Sequence, residues 1–203
     1  IGSYDVILEI FEISKKQGIR SVDKICHRME LGKDTYTLGK IRPEMEEELC
    51  RVLADFVRIM EGYRVDDYRA TASSAISEAS NSLYVLGKIH QLTGLSVTVL
   101  SNSEQRFLSY KALAAMEDNF NKIIEKGTAI LDLDGGSFQI SLFDKDALVT
   151  TQNIRMGSLR IRERLAGIQS ETEHYEEMVE ELIWNEVSSF KKMYLKDRKI
   201  ENI

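Results

Sequence analysis

Asp132, Gly135, Gly136 and Ser137 are the residues of this chain whose types and spacing best suit the holding of a phosphate. An apolar run from Ala129 reaches Asp132, two glycines interrupt it, and Phe138, Ile140 and Leu142 alternate on the way back, which is the pattern of a β-hairpin. Glycines place no side chain between a ligand oxygen and the backbone N–H groups, and a serine hydroxyl adds one more donor. An Asp just ahead of such a turn, here Asp132 with Asp134 beyond it, can hold a magnesium ion or an attacking water beside the phosphate. A plain hairpin with a Gly-Gly turn accounts for the same residues, so this stretch alone leaves both readings open.

The chain carries the hairpin twice. Gly2-Ser3, followed by Tyr4, Asp5, Val6 and Ile7, parallels Gly136-Ser137, followed by Phe138, Gln139, Ile140 and Ser141. Such duplication implies a repeated unit. Two lobes that each open on a Gly-Ser hairpin are the layout of the actin-like phosphotransferases.

Five stretches in order resemble those of the exopolyphosphatase and guanosine pentaphosphate phosphohydrolase family, Ppx/GppA. The family's opening Asp-x-Gly-Ser-Asn-Ser is similar to Gly2-Ser3-Tyr4-Asp5, and its Ala-Thr-x-Ala-x-Arg-x-Ala-x-Asn to residues 72–81. Its Ser-Gly-x-Glu-Glu-Ala-Arg is similar to residues 101–107, its Asp-x-Gly-Gly-Gly-Ser-Thr-Glu to residues 132–139, and its Gly-x-x-Arg-Leu to residues 157–161. The resemblance implies an α/β protein of the actin-like ATPase (ribonuclease H-like) fold. Its first lobe would span residues 1–126, and residues 127–203 would begin a second lobe that stops short. It also implies a ligand, inorganic polyphosphate or guanosine pentaphosphate, whose terminal phosphoanhydride is hydrolysed with Mg2+.

Carried onto this chain, the resemblance places Gln105, Asp132 and Gln139 at the catalytic positions. Gly2, Ser3, Gly135, Gly136, Ser137, Ser77 and Arg160 fall at the phosphate-binding positions, and Asp132, Asp134 and Glu104 near the metal. Several of these depart from the pattern where the chemistry is done. Hydrolysis needs a water aligned with the leaving oxygen and relieved of a proton, while cations and N–H groups neutralise the phosphoryl charge. Gln105 and Gln139 stand where the family has glutamates, Ser77 where it has a clamping arginine, and Asp134 where it has a glycine. An amide is no base near neutral pH, and losing a positioned base costs about 10² to 10⁴ in rate. Two classes of function therefore stand side by side. One is a weakened or non-catalytic pseudoenzyme that keeps the fold and a ligand cleft. The other is an active phosphohydrolase with a rearranged site, in which Gln105 orients the water.

Blander readings accompany these. Glu104, at the start of a helix, also suits the helix dipole, and Arg160 also suits a solvated face. His27, His90 and His174 are scattered and form no triad or metal pattern. With 27 basic and 33 acidic side chains the net charge is −6, so the chain as a whole does not attract polyanions, and nucleic acid is disfavoured as a partner. Cys26 and Cys50 have no metal-ligand spacing and read as reduced core residues. No run approaches the roughly 18 apolar residues of a membrane span, and no leader sequence is recognised, so a cytoplasmic protein is expected, with a homodimer left open as its assembly.

These residues must be positioned by a series of elements. Alternation from Val6 to Ile13 and again from Ile19 to Leu31 predicts a β-meander. Pro43, with glutamates at 44 and 46–48, starts a helix whose Met45, Leu49, Val52, Phe56, Ile59 and Met60 share a face. A strand over Asp66–Ser73, a helix over Ala75–Thr93 and a strand over Leu95–Leu100 should follow. Ser101 or Ser103 then caps a helix to about Met116, a polar segment leads to the central hairpin, and a third strand runs over Leu148–Ile154. A short helix within Arg155–Leu165 and a long one from Thr172 to about Met193 complete the chain.

Overall fold

The computed structural model describes residues 1–16, 18–117, 119–166, 174–196 and 198–203, and these divide into two compact units, Ile1–Ser101 and Asn102–Ile203. The division falls ahead of the lobe boundary expected near residue 126, because the helix that begins at Asn102 is tied by its side chains to the sheet of the second unit.

In the first unit, β1 (Asp5–Ser14) and β2 (Gly18–Arg28) form an antiparallel hairpin with a register shift between Ile10 and Phe11. Val6 and Ile10 turn into the core while Ile7, Phe11 and Ile13 face out, the period-2 pattern the sequence displays. Two strands rather than a meander result, since Leu31 opens a helix, α1 (Leu31–Leu38), closed by Gly39 at φ 70°. Residues Pro43–Gly62 form α2, with Pro43 in its first turn and Leu49, Val52, Leu53 and Phe56 buried. The strand expected over Asp66–Ser73 is only β3 (Ala70–Ala72), which pairs in parallel with β4 (Val97–Val99).

The single helix expected over Ala75–Thr93 is instead two, α3 (Ser74–Ser77) and α4 (Ser82–Thr93). The break is enforced from outside: Ser80 N–H donates to the Gly39 carbonyl at 2.9 Å, and the Asn81 amide exchanges hydrogen bonds with the backbone of Ile41 at 2.8 and 3.0 Å. Leu31, Ile41, Leu49, Ile76, Val85 and Ile89 form the centre of this unit's core. A groove of about 570 Å³ runs between β1 and the 67–71 segment, floored by Leu53, Phe56 and Met60.

The second unit begins with α5 (Asn102–Met116) and a short α6 (Phe120–Ile124), the latter within the polar segment that leads to the central hairpin. Three antiparallel strands follow in the order β5 (Thr128–Leu133), β6 (Phe138–Asp144) and β7 (Ala147–Ile154), then α7 (Ser158–Leu165) and α8 (Tyr175–Tyr194). The expected start of α8 at Thr172 lies outside the described residues. Ala129, Ile140, Leu142 and Ile154 pack with Ile161, Leu165 and Phe190 to form the core. The Gly-Ser pair precedes β6 as Gly2-Ser3 precedes β1, but only in the second unit does it lie in the turn of a hairpin, between β5 and β6, whereas β1 pairs with the strand that follows it.

Of the two cysteines, Cys50 is buried as expected, whereas Cys26 is exposed, because it falls on the outward-facing positions of β2. Among the described residues no helix is long and apolar enough to cross a membrane.

Candidate functional site

Alternation along the second unit's sheet sorts its residues onto two faces. Ile140, Leu142 and Ile154 belong to the buried apolar set. The other parity brings Asp132, Gln139 and Asn153 into one rung across β5, β6 and β7, with Ile130, Ser141 and Thr151 in the next. Gln139 is 7% exposed and Ser141 1%, so these polar groups are covered, and α5 supplies partners for Asp132, Ser141 and Thr151.

Three contacts fix that cover. Arg106 donates to the Thr151 hydroxyl at 3.2 Å, Ser109 to the Asp132 carboxylate at 2.9 Å, and Tyr110 to the Ser141 hydroxyl at 2.5 Å. Ser141 and Thr151 are 3.2 Å apart, and Arg106 also reaches Ser103, so a chain of donors and acceptors runs from the first turn of α5 onto the sheet. Gln105 is one helical turn before Ser109. Residues four apart share a helix face, so Gln105 lies on the face that meets Asp132. Glu104, beside it, is exposed.

The glycine loop is fixed from one side by the start of α7. The N–H of Ser158 donates to the Asp134 carbonyl at 3.0 Å, those of Leu159 and Arg160 to the Gly135 carbonyl at 3.0 and 3.1 Å, and Arg160 Nε to the Gly136 carbonyl at 3.0 Å. Gly157 permits this approach: a Cβ there would stand 2.4 Å from Asp134 O, Gly135 C and Ser137 N, closer than any side chain can come. On the loop itself, Asp134 N–H donates to the Ser137 carbonyl at 3.0 Å, and the Asp134 carboxylate accepts the Gly136 N–H at 3.1 Å. Asn153 donates to the Ser137 hydroxyl at 3.2 Å.

The remaining expected residues belong to the first unit. Ser3 is 2% exposed, and its hydroxyl forms a triangle with Tyr36 at 2.6 Å and Ser74 at 3.1 Å, the third side being 2.8 Å. Gly2 N–H closes the turn on the Asp5 carbonyl at 2.9 Å. Tyr4 lies beneath the Arg28 guanidinium, 4.3 Å from ring centre to Cζ. Ser77 ends α3 and is exposed.

For a magnesium ion held by the protein, the donor set fits poorly. Asp132 is the one carboxylate of its rung and already accepts a hydroxyl, Asp134 is turned onto its own loop, and Gln139 is neutral. Among the described residues no three His, Cys, Asp or Glu side chains cluster.

Sequence reasoning singled out Asp132, Gln139 and the loop but passed over Arg106, Ser109, Tyr110, Ser141, Thr151 and Asn153. The signal was present for some of them: Gln139 and Ser141 share one parity of a strand in which Phe138, Ile140 and Leu142 take the other.

Residues 9–201 match the model of the Ppx/GppA phosphatase family. Exopolyphosphatase 1 of Mycobacterium leprae is 29% identical over 108 residues, 53% of this chain and 30% of that protein. The bifunctional 3-dehydroquinate synthase/phosphatase of Fusobacterium nucleatum is 21% identical over 170 residues, 81% of this chain and 25% of that one. Among solved structures, the Aquifex aeolicus PPX-GPPA enzyme superposes with a TM-score of 0.69 at 22% identity, covering 94% of this chain and 62% of its own. The fold is accordingly the actin-like ATPase fold. This chain spans between a quarter and a third of the length of the curated relatives it matches.

Proposed function

This chain belongs to the Ppx/GppA phosphatase family, and from that premise we propose that it binds a phosphoanhydride of the polyphosphate or guanosine pentaphosphate class in the cytoplasm while its hydrolytic step is weakened or lost. The observation that carries this reading is the make-up of the polar face under α5. The helix face that meets Asp132 presents Gln105, and the rung of Asp132 continues through Gln139 and Asn153. One carboxylate is thus surrounded by amides. Amides can align a water but cannot take its proton, and they add no charge with which to retain a divalent cation.

Each group that remains has a task in such a site. The loop can offer N–H groups to phosphoryl oxygens, Arg160 and the start of α7 hold the loop's carbonyls in place, and Asp132 can accept a hydrogen bond from water. At the position where the family has its catalytic glutamate, the amide of Gln105 cannot take the proton of the water. Phosphoryl transfer has a loose transition state and demands little base catalysis, so alignment alone leaves residual hydrolysis.

The test is phosphate release from long-chain polyphosphate and from guanosine pentaphosphate by the full-length protein. Wild type should turn over slowly at every pH near neutral, and Gln105→Glu should raise the rate. Adding Gln139→Glu and Ser77→Arg should raise it further, within the roughly 10² to 10⁴ that a positioned base contributes. Robust wild-type turnover that falls when Gln105 becomes Glu would instead establish the rearranged site, with the amide orienting the water.

A further inference from the structure

We propose that Asp134 is an internal competitor for the anion position of the glycine loop, and so decides whether the second unit accepts a phosphoryl group. The inference rests on the phosphate-loop reading given above and deepens it. It begins from backbone geometry. No peptide bond is cis, so each carbonyl points opposite to the N–H of the residue that follows it. The carbonyls of Asp134, Gly135 and Gly136 are each held by α7, through the N–H groups of Ser158, Leu159 and Arg160 and through Arg160 Nε. The N–H groups of Gly135, Gly136 and Ser137 must therefore point away from the groups that hold those carbonyls.

Successive N–H groups turned in this way are of the kind that receives an anion, and here they belong to a loop whose Gly135 and Gly136 are buried and whose Ser137 is half-buried. The middle one is occupied. Gly136 N–H donates to Asp134 Oδ1 at 3.1 Å, while those of Gly135 and Ser137 have no hydrogen-bond partner among the described residues. The chain thus supplies its own carboxylate oxygen where a phosphate oxygen would be received. An incoming phosphoryl group has to displace that oxygen and then bear the repulsion of the carboxylate it has displaced.

Charge and hydrogen bond can be separated by two substitutions. Asp134→Asn keeps an oxygen acceptor for the Gly136 N–H but removes the charge, and Asp134→Gly removes both. Inorganic tripolyphosphate is the probe, titrated calorimetrically into the full chain, with amide chemical shifts followed by NMR and a thermal melt to confirm that each variant is folded. Affinity should rise from wild type to Asn to Gly, with the Gly variant tighter by roughly ten- to a hundredfold, the span of one hydrogen bond to a charged group. The amides of Gly135, Gly136 and Ser137 should shift in that variant. Equal affinity in all three folded proteins, or tight wild-type binding that moves those amides, would overturn the competitor role and leave the phosphate loop standing. No tripolyphosphate binding by any folded variant would remove the loop reading and the inference with it.

Discussion

Asn81 shows what a single side chain contributes where helical periodicity gives no warning. Its amide accepts the Ile41 N–H and donates to both the Ile41 carbonyl and the Glu46 carboxylate, and Glu46, 4% exposed, is further paired with Lys88 at 3.3 Å. Replacing it with Ala removes the partners of the Ile41 backbone, on a residue only 1% exposed, and one partner of Glu46, so Asn81→Ala should lower unfolding free energy by about 2 kcal/mol, read by urea denaturation with an unchanged m-value. At this scale the sequence was informative for backbone-like chemistry and silent on reach. Asp132, Gln139 and the loop follow from residue type and alternation. Ser109 and Tyr110 do not, because which turn of a helix meets which rung of a sheet depends on packing between elements distant in sequence. Arg106 is a related case: it sits one position before the family's arginine, whose place is taken by Phe107, and its guanidinium meets Thr151 and Ser103 rather than solvent alone.

Among the elements, long amphipathic segments were legible and short or polar-faced ones were not. The alternation of β1 and the apolar stripe of α2 repeat often enough to identify their type. In contrast, α1 buries Asp34 and Thr35 beside Leu31 and Gly32, so its inward face reads as a polar turn; Asp34 is 1% exposed and paired with Arg42 at 2.8 Å, and Thr35 donates to the Ala75 carbonyl at 2.7 Å. The edge of β5 offers another case. Residues 201–202 dock there through Glu201 N–H to the Gly127 carbonyl at 2.7 Å and Ala129 N–H to the Asn202 carbonyl at 2.9 Å. Lys126, with Lys199, holds the Glu201 carboxyl below its ordinary value of 4.5. A depressed carboxyl stabilises the folded form above its unfolded pKa, and that contribution disappears as pH falls through the folded value. Hydrogen exchange at Ala129 should therefore accelerate between pH 5 and pH 3 relative to neighbouring amides, after correction for intrinsic rates, and Glu201→Gln should flatten that change.

At the scale of the whole molecule, each unit carries its own buried cluster and its own Gly-Ser pair ahead of a strand, and the chain has a net charge of −6 with an isoelectric point near 5.3. The outward residues of β1 matter here in another way. Ile7 and Phe11 are each 48% exposed and Ile13 76%, and among the described residues β1 pairs only with β2. An apolar strand with an unladdered edge invites pairing with another molecule, and like net charge opposes it. Light scattering against concentration should therefore show weak self-attraction that strengthens as pH is lowered from 7.5 towards the isoelectric point, and Phe11→Lys should abolish it without altering the thermal melt. For this hairpin edge, the choice of buffer pH becomes a choice of whether it stays solitary.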